Sequence, residues 1–296
     1  MRLIRGFHAR GLAVEGGARV TGHRDGASGG QGRVRQGNAG IAAIGGQAPR
    51  ADAPAAGVRL RDVHLRQGQT QVFAGLSLDL SERRIAIIGR NGAGKSQLAR
   101  LVAGLVAPDR GTVRVAGVDV ARDRRAALAT VGVLFQNPDH QIIFPTVGEE
   151  LCFGLHQTGL SRAEAQAAMR AMLDRFGRAA WEGRAIHTLS QGQRHLVCLM
   201  AVLVMAPGLI VLDEPFAGLD LVTSLRLGAL LETLPQALLH VTHDLDAVAG
   251  YARMIWLDGG QVVADGPPAE VSAAYRDRMR RLAGDAGGGR DAGPDL

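Results

Sequence analysis

The sequence predicts an α/β domain with a mainly parallel sheet, and three observations support this. Over most of the chain, short apolar runs alternate with stretches of helical periodicity, which is the pattern of parallel strands joined by crossover helices. Hydrophobic residues make up 46% of the 296 residues and charged residues 21%, as is usual for soluble domains. The chain has only two cysteines, which excludes a fold held together by disulfides. Aromatic residues are only 4%, so the core is expected to be aliphatic.

Both ends of the chain are expected to lie outside this domain. Residues 1–57 contain 14 glycines, eight arginines and three acidic residues, so they cannot bury enough apolar surface to offset the entropy of ordering them. We predict that they are disordered; an Arg-rich transit peptide is the alternative, although the glycines disfavour an amphipathic helix. Residues 283–296 are rich in Gly and Asp and are predicted to form a second disordered tail. The domain itself is predicted to span residues 58–282.

The charge and hydropathy of the chain argue against a nucleic-acid partner and against a membrane span. Of the net charge of +6, residues 1–57 carry +5 (eight Arg minus three acidic residues), so the domain itself is nearly neutral. The strongest apolar run, Leu196–Leu212, is shorter than the ~20 residues that a membrane span needs. Because Pro207-Gly208 interrupts it, the run predicts a buried helix, a turn and a buried strand.

The remaining apolar runs place the strands in order. The first strand is expected to begin near Val58, and Leu76–Leu80 and Val113–Ala116 are predicted to be antiparallel strands. Five further runs are predicted to form the parallel sheet: Arg84–Ile88, Val131–Phe135, Leu209–Leu212, Leu238–Thr242 and Met254–Leu257.

A helical insertion is predicted at about residues 145–190, where the alternation of strands and helices stops. Ser161 and Glu164 have the spacing of a capping box, which marks a helix start. A stripe of apolar residues then recurs at steps of three and four, and we interpret it as core: Met169, Met172, Leu173 and Phe176.

A glycine-rich phosphate loop follows the strand Arg84–Ile88. Residues 89–96 fit the pattern GxxxxGK[ST] between a buried strand and a helix, the context that this motif requires. The glycines let backbone N–H groups turn towards a phosphate, and the helix N-terminus adds partial positive charge. Lys95, the only lysine of the chain, is expected to reach the β- and γ-phosphates, and Ser96 to ligate Mg²⁺. The predicted nucleotide-binding residues are Gly89, Arg90, Asn91, Gly92, Ala93, Gly94, Lys95, Ser96 and Gln97.

Polar residues also follow three other predicted parallel strands, at the sheet edge where α/β folds bind ligands. Asp213 is expected to hold Mg²⁺, and Glu214 to act as the general base that polarises the attacking water. His243 is placed to sense the γ-phosphate, and Gln136 to reach Mg²⁺ or the water; by itself each of these two is weak support. The predicted metal ligands are Ser96, Gln136 and Asp213, and the predicted catalytic residues are Glu214, His243 and Gln136.

A further motif makes the resemblance to a known family specific. Leu189-Ser-Gln-Gly-Gln193 precedes the helix that leads to Asp213-Glu214, and Ala217-Gly-Leu-Asp220 follows them. Over roughly residues 58–270, these motifs resemble the ATPase subunits of ABC transporters. The resemblance implies a P-loop ABC ATPase fold, ATP and Mg²⁺ as cofactors, and a head-to-tail dimer of two ATPase subunits. The residues that it implies at the dimer interface, opposite the other subunit's ATP, are Ser190, Gly192, Gln193 and Asp220.

The chain departs from the family pattern at two places. Gln191 stands where the family's signature has its first glycine, which leaves the Ser190 hydroxyl and the Gly192 amide for the γ-phosphate. The aromatic residue that stacks on adenine in this family is replaced by Gln67, with His64 and Phe73 nearby. We therefore expect weak base stacking and loose selectivity for ATP over GTP.

The segment Phe135–Gly154 resembles one group of ABC importers, the energy-coupling-factor group. It carries Gln-Asn-Pro-Asp-x-Gln, followed by Glu149-Glu150 and Phe153-Gly154. The resemblance implies a peripheral subunit on the cytoplasmic face of the cell membrane, bound to a membrane coupling subunit and a substrate-binding membrane subunit, with a homodimer of ATPases. Biotin importers are the nearest in detail, and cobalt/nickel importers the second.

Two alternatives remain open beside this interpretation. Glu149 has capping-box spacing to Thr146, so it could cap a helix as readily as contact a partner. A soluble ABC ATPase of DNA repair or translation is the other alternative, although such proteins commonly carry cysteine clusters, coiled coils or paired ATPase domains that this sequence lacks.

Overall fold

The structure of the protein is a computed structural model, and it describes residues 57–286. The predicted N-terminal extension, except Gly57, and residues 287–296 lie outside the described residues. The last helix of the domain runs to Ala286, so residues 283–286 of the predicted tail are helical.

An antiparallel sheet opens the domain. Its strands are β1 (Val58–Gln67), β2 (Thr70–Leu80), β4 (Arg110–Val115) and β5 (Val118–Asp119). They pair in the order β2-β1-β4-β5, and β1 begins at Val58, as expected. The predicted antiparallel strands are therefore confirmed. The two-residue β5 was not predicted, because it is too short to show any periodicity.

A second, mainly parallel sheet forms the centre of the domain. Its strands are β3 (Arg84–Ile88), β6 (Val131–Leu134), β7 (Leu209–Asp213), β8 (Ala237–Val241), β9 (Arg253–Asp258) and β10 (Gln261–Gly266). Their order is β10-β9-β3-β8-β7-β6, and only the β9–β10 pair is antiparallel among these described strands. The five predicted parallel strands are confirmed to within one residue at each end. The edge strand β10 was not predicted, because none of its residues is fully buried and its apolar run is only three residues long, Val262–Ala264.

Seven α-helices complete the described part of the chain. They are α1 (Lys95–Val102), α2 (Arg124–Thr130), α3 (Val147–Gln157), α4 (Arg162–Arg175), α5 (Gln191–Leu203), α6 (Leu221–Thr233) and α7 (Pro268–Ala286). Within the predicted helical insertion lie α3, α4 and two short 3₁₀ helices, Ala179–Trp181 and Ile186–Thr188. The run Leu196–Leu212 is confirmed as a helix end, a turn and a strand. None of these described helices is both long and apolar enough to cross a membrane.

Both faces of the central sheet are covered, which explains its uninterrupted apolar strands. On β7, Leu209 and Val211 pack with α1 and the antiparallel sheet, whereas Ile210 and Leu212 pack with α5 and the helical insertion. The Met169 stripe of α4 belongs to this second core, as predicted. Since side chains alternate across a strand, a strand between two cores favours apolar residues on both of its faces.

The register of the central strands brings the predicted site residues to one edge of the sheet. Ile87 of β3 pairs with Val241 of β8, Val241 pairs with Asp213 of β7, and Leu212 pairs with Leu134 of β6. The chain segments that follow these four strands therefore leave the sheet side by side.

Candidate active site

The phosphate loop joins β3 to α1 through glycines that no larger residue can replace without strain. Gly92 and Gly94 have φ values of 80° and 99°, in the left-handed region that glycine favours. A Cβ built on Gly94 would lie 3.0 Å from Cε1 of Phe73, and one built on Gly89 would overlap the carbonyl oxygen of Leu257. The same glycines thus permit the turn and the close packing of the loop on its neighbours.

The N-terminus of α1 differs from the other helix starts nearby. Its N-cap, Gly94, has no side chain to accept a hydrogen bond from the first turn. The N-cap side chains of α3, α4, α5 and α6 all accept such a bond; these residues are Thr146, Ser161, Ser190 and Asp220. The first N–H groups of α1 are therefore left for an anion, which the helix dipole also favours.

Lys95 lies folded over the phosphate loop and is only 8% exposed. Its Nζ donates hydrogen bonds to the carbonyl oxygens of Gly89 at 2.8 Å and Arg90 at 3.0 Å. Burial lowers the pKa of Lys95, while the carboxylates of Glu214 and Asp213 partly oppose that shift. The ammonium is thus held at the loop by neutral acceptors and lies within the field of two carboxylates.

Ser96 and Asp213 meet at the end of β7. The Ser96 hydroxyl lies 3.1 Å from Oδ1 of Asp213. Burial raises the pKa of Asp213, the nearby Glu214 adds to the rise, and the hydrogen bond from Ser96 opposes it. A hydroxyl beside a partly buried carboxylate is a donor set that fits Mg²⁺, which usually takes one or two protein oxygens and completes its shell with water and phosphate. The described residues contain no cluster of three or more His, Cys, Asp or Glu side chains suited to a metal ion.

Glu214 and His243 also meet at this edge. His243 Nδ1 lies 2.9 Å from Oε2 of Glu214, and the Thr242 hydroxyl lies 3.4 Å from the same oxygen. His243 and Thr242 both contact Oε2. Among the described residues, no hydrogen bond or ion pair engages Oε1 of Glu214, which leaves that oxygen for a water. Glu214 also has a φ of 51°, which is strained for a residue with a side chain and is typical of functional sites.

Gln136 lies two residues beyond β6, next to the end of β7, and its side chain is exposed. Among the described residues, no hydrogen bond joins its side chain to the Ser96–Asp213 pair. The structure thus brings Gln136 to the predicted edge but does not place it on a metal ligand.

Ser190 and Gln193 form a capping box at the start of α5. The Gln193 amide N–H donates to the Ser190 hydroxyl at 3.3 Å, and Gln193 Oε1 accepts from the Ser190 amide at 3.1 Å. Asp220 caps α6 in a similar way, with Oδ1 accepting from the amide of Thr223 and Oδ2 lying 2.6 Å from its hydroxyl. These hydrogen bonds lower the pKa of Asp220. All three residues therefore have a structural role within one chain.

Gly192 and Gln191 connect the signature segment to the loop before α6. A Cβ built on Gly192 would lie 2.7 Å from Cγ2 of Thr223, so α5 and α6 approach each other closely there. A Cβ built on Gly218 would lie 2.7 Å from Nε2 of Gln191. The glutamine that departs from the family signature therefore covers the Ala217–Asp220 segment.

The region upstream of the phosphate loop is arranged differently from what an adenine-stacking site requires. Phe73 is fully buried beneath Gly94, so it supports the loop and cannot stack on a base. Gln67 accepts a hydrogen bond from Gln97 at 3.1 Å, and His64 pairs with Asp62 at 3.0 Å. The sequence showed no sign of a role for Thr242 and placed Phe73 only near the base. The contact of Thr242 with Glu214 and that of Phe73 with Gly94 both arise from the tertiary structure.

Comparison with known proteins identifies the family. Residues 73–217 match the family model described as ABC transporter. The chain is 56% identical to the biotin transport ATP-binding protein BioM of Rhodobacter capsulatus over 221 aligned residues. The alignment covers 75% of this chain and 94% of the relative. The chain belongs to the ABC transporter family. Within this family, it is an ATP-binding subunit with ATPase activity.

Other relatives agree with this assignment. This ABC subunit is 41% identical over 202 residues to the biotin transport ATP-binding protein BioM of Rhizobium etli, covering 68% of this chain and 90% of the relative. It superposes on cbiO1 of Clostridium perfringens, part of the ABC transporter complex cbiONQ, with a TM-score of 0.63 and 27% identity, over 76% of this chain and 93% of that one. The ATP-binding cassette MJ0796 shows the same fold, with a TM-score of 0.63 and 22% identity. That superposition covers 71% of this chain and 98% of MJ0796.

Proposed function

We propose that this ABC subunit hydrolyses ATP to drive an importer of the energy-coupling-factor type, and that the imported solute is biotin. The observation that carries the proposal is the arrangement at the sheet edge, where the uncapped N-terminus of α1 adjoins the Ser96–Asp213 and Glu214–His243 pairs. The similarity to two biotin transport ATP-binding proteins supports the choice of solute.

In this proposal the phosphate loop binds the nucleotide through its backbone. The free N–H groups of α1 and the Lys95 ammonium offer positive charge to the β- and γ-phosphates, and the glycines let the backbone approach closely. Ser96 and Asp213 hold Mg²⁺, which when bound neutralises developing charge on the phosphates. Gln136 lies at the same edge and is proposed to reach the metal or the water once nucleotide is bound.

Glu214 is proposed to orient and deprotonate the attacking water. Its Oε2 is held by His243 and Thr242, which fixes the direction of the carboxylate. Its Oε1 is then free to accept the proton of a water aimed at the γ-phosphate. The imidazole of His243 is placed to respond when the γ-phosphate leaves, because it contacts the same carboxylate.

Complete sites are proposed to need a second subunit. Among the described residues, no hydrogen bond or ion pair joins the phosphate loop to Ser190, Gly192 or Gln193. In a head-to-tail homodimer, the N-terminus of α5 in one subunit would face the nucleotide on the other, and Asp220 would lie at the contact. Since each chain carries both halves, the dimer would have two working sites.

A groove beside the helical insertion supports a membrane partner. A cavity of about 270 Å³ is lined mainly by apolar side chains, including Leu105, Ile143 and Phe153, and Ile143 is 64% exposed. The buried Glu150 carboxylate accepts hydrogen bonds from the amides of Ile143 and Phe144, both at 2.9 Å, which holds one wall of the groove in place. We propose that a helix of the membrane coupling subunit docks here and that a substrate-binding membrane subunit completes the importer at the cytoplasmic face of the membrane.

Glu149 has the structural role that the sequence left open. It forms a full capping box with Thr146 at the start of α3, where its Oε2 lies 2.6 Å from the Thr146 hydroxyl. Its carboxylate is therefore engaged within the chain, and the proposed docking groove does not depend on it.

Transport assays test this proposal directly. The gene would be deleted in its host, together with any genes for biotin synthesis. Uptake of labelled biotin, cobalt and nickel would then be measured with and without a wild-type copy of the gene. Restored biotin uptake, and recovery of the protein with the membrane fraction, are the expected results. Restored metal uptake instead would assign the solute to the cobalt/nickel alternative. Recovery only in the soluble fraction, with no uptake restored, would favour a non-transport ATPase.

A further inference from the structure

Arg194 lies at the end of the first turn of α5 and folds back over the start of that helix. Its Nη1 donates a hydrogen bond to the carbonyl oxygen of Leu189 at 2.8 Å. Leu189 is itself buried, and its peptide bond to Ser190 leads directly into the serine cap of α5. The arginine therefore holds the peptide unit that precedes the Ser190 side chain.

The same guanidinium reaches a second segment of the chain. Arg194 Nε lies 3.0 Å from Oδ1 of Asp139, in the 3₁₀ helix Pro138–His140 that follows β6. The Nε–H is not directed at that oxygen, so the contact is an ion pair rather than a hydrogen bond. A further contact lies beside it, since the Cys198 thiol of α5 is 3.9 Å from the carbonyl oxygen of Pro138. The first half of α5 is thus tied to the Pro138–His140 helix.

The segment that carries Asp139 is itself held at several points. The Asp139 amide donates to Oδ1 of Asn137 at 2.9 Å, and the Phe135 amide donates to Oε1 of Gln141 at 3.2 Å. At the far end of the segment, the buried Glu150 carboxylate accepts two backbone hydrogen bonds. Arg194 therefore aligns the start of α5 against a stretch of backbone that is fixed in place.

The serine cap of α4 lacks this arrangement. α4 begins at Ser161 with the same pair of capping hydrogen bonds as α5. Yet among the described residues, no side chain donates to the carbonyl oxygen of Leu160, which precedes that serine. The residue four positions after Ser161 is Ala165, where α5 has Arg194. A serine cap by itself does not need the arginine, so Arg194 serves something particular to α5.

We propose that Arg194 is a positioning residue for ATP hydrolysis, which sets the direction of the Ser190 hydroxyl, and that Asp139 holds its guanidinium in place. This rests on the proposed function, in which Ser190 of one subunit faces the nucleotide of the other. A guanidinium suits the task because its planar fork donates to a carbonyl oxygen and pairs with a carboxylate at the same time. Small displacements of a group beside the reacting atoms are costly in rate.

The role predicts a loss of turnover without a loss of nucleotide binding. Among the described residues, no hydrogen bond or ion pair joins Arg194 to the phosphate loop, where the nucleotide is proposed to bind. In Arg194→Gln, kcat is therefore expected to fall about tenfold. The affinity for a fluorescent ATP analogue should stay as in the wild type. An unchanged kcat, or a weakened affinity, would overturn the proposal.

The same substitution in a Ser190→Ala background shows whether Arg194 acts through the serine. There Arg194→Gln should lower kcat little further, because the hydroxyl that it positions is already gone. An equal fold loss in both backgrounds would mean a separate or merely structural effect, and would overturn the proposal. A wild-type kcat in Ser190→Ala alone would instead contradict the proposed function, and the role of Arg194 with it.

Asp139→Asn covers the case in which Arg194→Gln fails to fold. The Asp139 side chain is 61% exposed, and the change keeps its size. It removes the ion pair but leaves the hydrogen bond to Leu189, so kcat should fall by a smaller factor. A wild-type kcat in Asp139→Asn would remove Asp139 from the proposal.

Arg170→Gln is the matched control. The Arg170 guanidinium on α4 also pairs with a carboxylate, that of Glu182, at 3.1 Å, and lies outside the proposed site. This variant should turn over ATP as the wild type does. A kcat loss equal to that of Arg194→Gln would mean that losing any such ion pair has the effect, and would overturn the special role of Arg194.

Discussion

At the residue scale, the site concentrates charge and strain in a few side chains. Glu214 has a left-handed backbone, which costs of order 1–3 kcal/mol. Its amide N–H donates to the carbonyl oxygen of Val241 at 2.9 Å, and His243 and Thr242 hold its carboxylate. The neighbouring Asp213 faces Ser96 instead. Two adjacent carboxylates are thus directed to different partners, and we expect their substitutions to have different effects.

Glu214→Gln should strongly reduce turnover and preserve nucleotide binding. The amide keeps the size of the side chain but cannot take a proton, so kcat is expected to fall by roughly 10²-fold or more. Because the unhydrolysed nucleotide would hold two subunits together, the variant should also elute as a dimer when ATP is present. Steady-state phosphate release and size-exclusion chromatography measure the two effects.

Glu232→Gln is the control for this prediction, since Glu232 is exposed on α6, outside the site. It should turn over as the wild type does and show no ATP-dependent dimer beyond that of the wild type. Near-normal turnover in Glu214→Gln, without an ATP-stabilised dimer, would contradict both the role of Glu214 and the dimer.

Lys95→Arg should weaken nucleotide binding although the charge is unchanged. The Lys95 Nζ fits between two carbonyl oxygens of the loop, at 2.8 and 3.0 Å, and the side chain is buried. A planar guanidinium needs more room and cannot act as a compact point charge. Titration with a fluorescent ATP analogue should show a loss of affinity of at least about tenfold, and an unchanged affinity would mean that Lys95 does not reach the phosphates.

At the scale of elements, the N-termini of α4 and α5 share one capping chemistry but are proposed to serve different purposes. α4 and α5 both begin with a serine in a full capping box, with a φ of −64° at Ser161 and −65° at Ser190. In both, the serine hydroxyl accepts from the amide three residues later at 3.3 Å. Locally the two caps are alike, so only their surroundings can give them different functions.

Alanine at each of these two serines separates capping from function. Ser161→Ala and Ser190→Ala should each lower the free energy of unfolding by about 1 kcal/mol, since each removes one capping hydrogen bond. Only Ser190→Ala should also lower ATP turnover and weaken the ATP-dependent dimer. Chemical denaturation and phosphate release would be measured on both proteins. Equal turnover in the two variants would mean that Ser190 is a helix cap alone.

At the scale of the whole molecule, burial makes stability depend on pH. His240 on β8 is fully buried against Phe216 and Tyr251, with Nδ1 lying 3.1 Å from the Tyr251 hydroxyl. This burial lowers the pKa of His240 from 6.5 to about 4. The unfolded chain binds the proton near pH 6.5, and the folded protein near pH 4. Folding is therefore favoured above pH 6.5 by a contribution that is lost as the pH falls towards 4.

Thermal unfolding between pH 7.5 and pH 4.5 should show this loss. The contribution of His240 to the free energy of unfolding is expected to decline by at most ~3 kcal/mol across that window. His240→Phe should lower stability at pH 7.5, because the Tyr251 hydroxyl loses its partner, and should flatten the pH dependence. His187→Phe, at an exposed position, should leave the slope as it is. An unchanged slope in His240→Phe would assign the acid sensitivity to other groups.

The sequence by itself determined the strands of the central sheet and the main motifs of the site. β3 and β7 each lie between two cores and read as continuous apolar runs, and the phosphate loop and signature are short, local patterns. The sequence also predicted that Asp213, Glu214, His243 and Gln136 lie at one edge of the sheet. These residues follow parallel strands, and the carboxyl ends of parallel strands meet at the same edge. The edge strand β10 left no such signal, since its side chains are exposed or half-buried.

Only the tertiary structure decided which atoms meet. Phe73 is 21 residues before Gly94 in sequence, yet packing places its ring under that glycine and removes it from the base site. The shared contacts of Glu214 Oε2 and the cover of Gln191 over Gly218 likewise join segments far apart in the chain. Periodicity reports the environment of one strand or helix at a time, whereas these contacts depend on how several of them pack together.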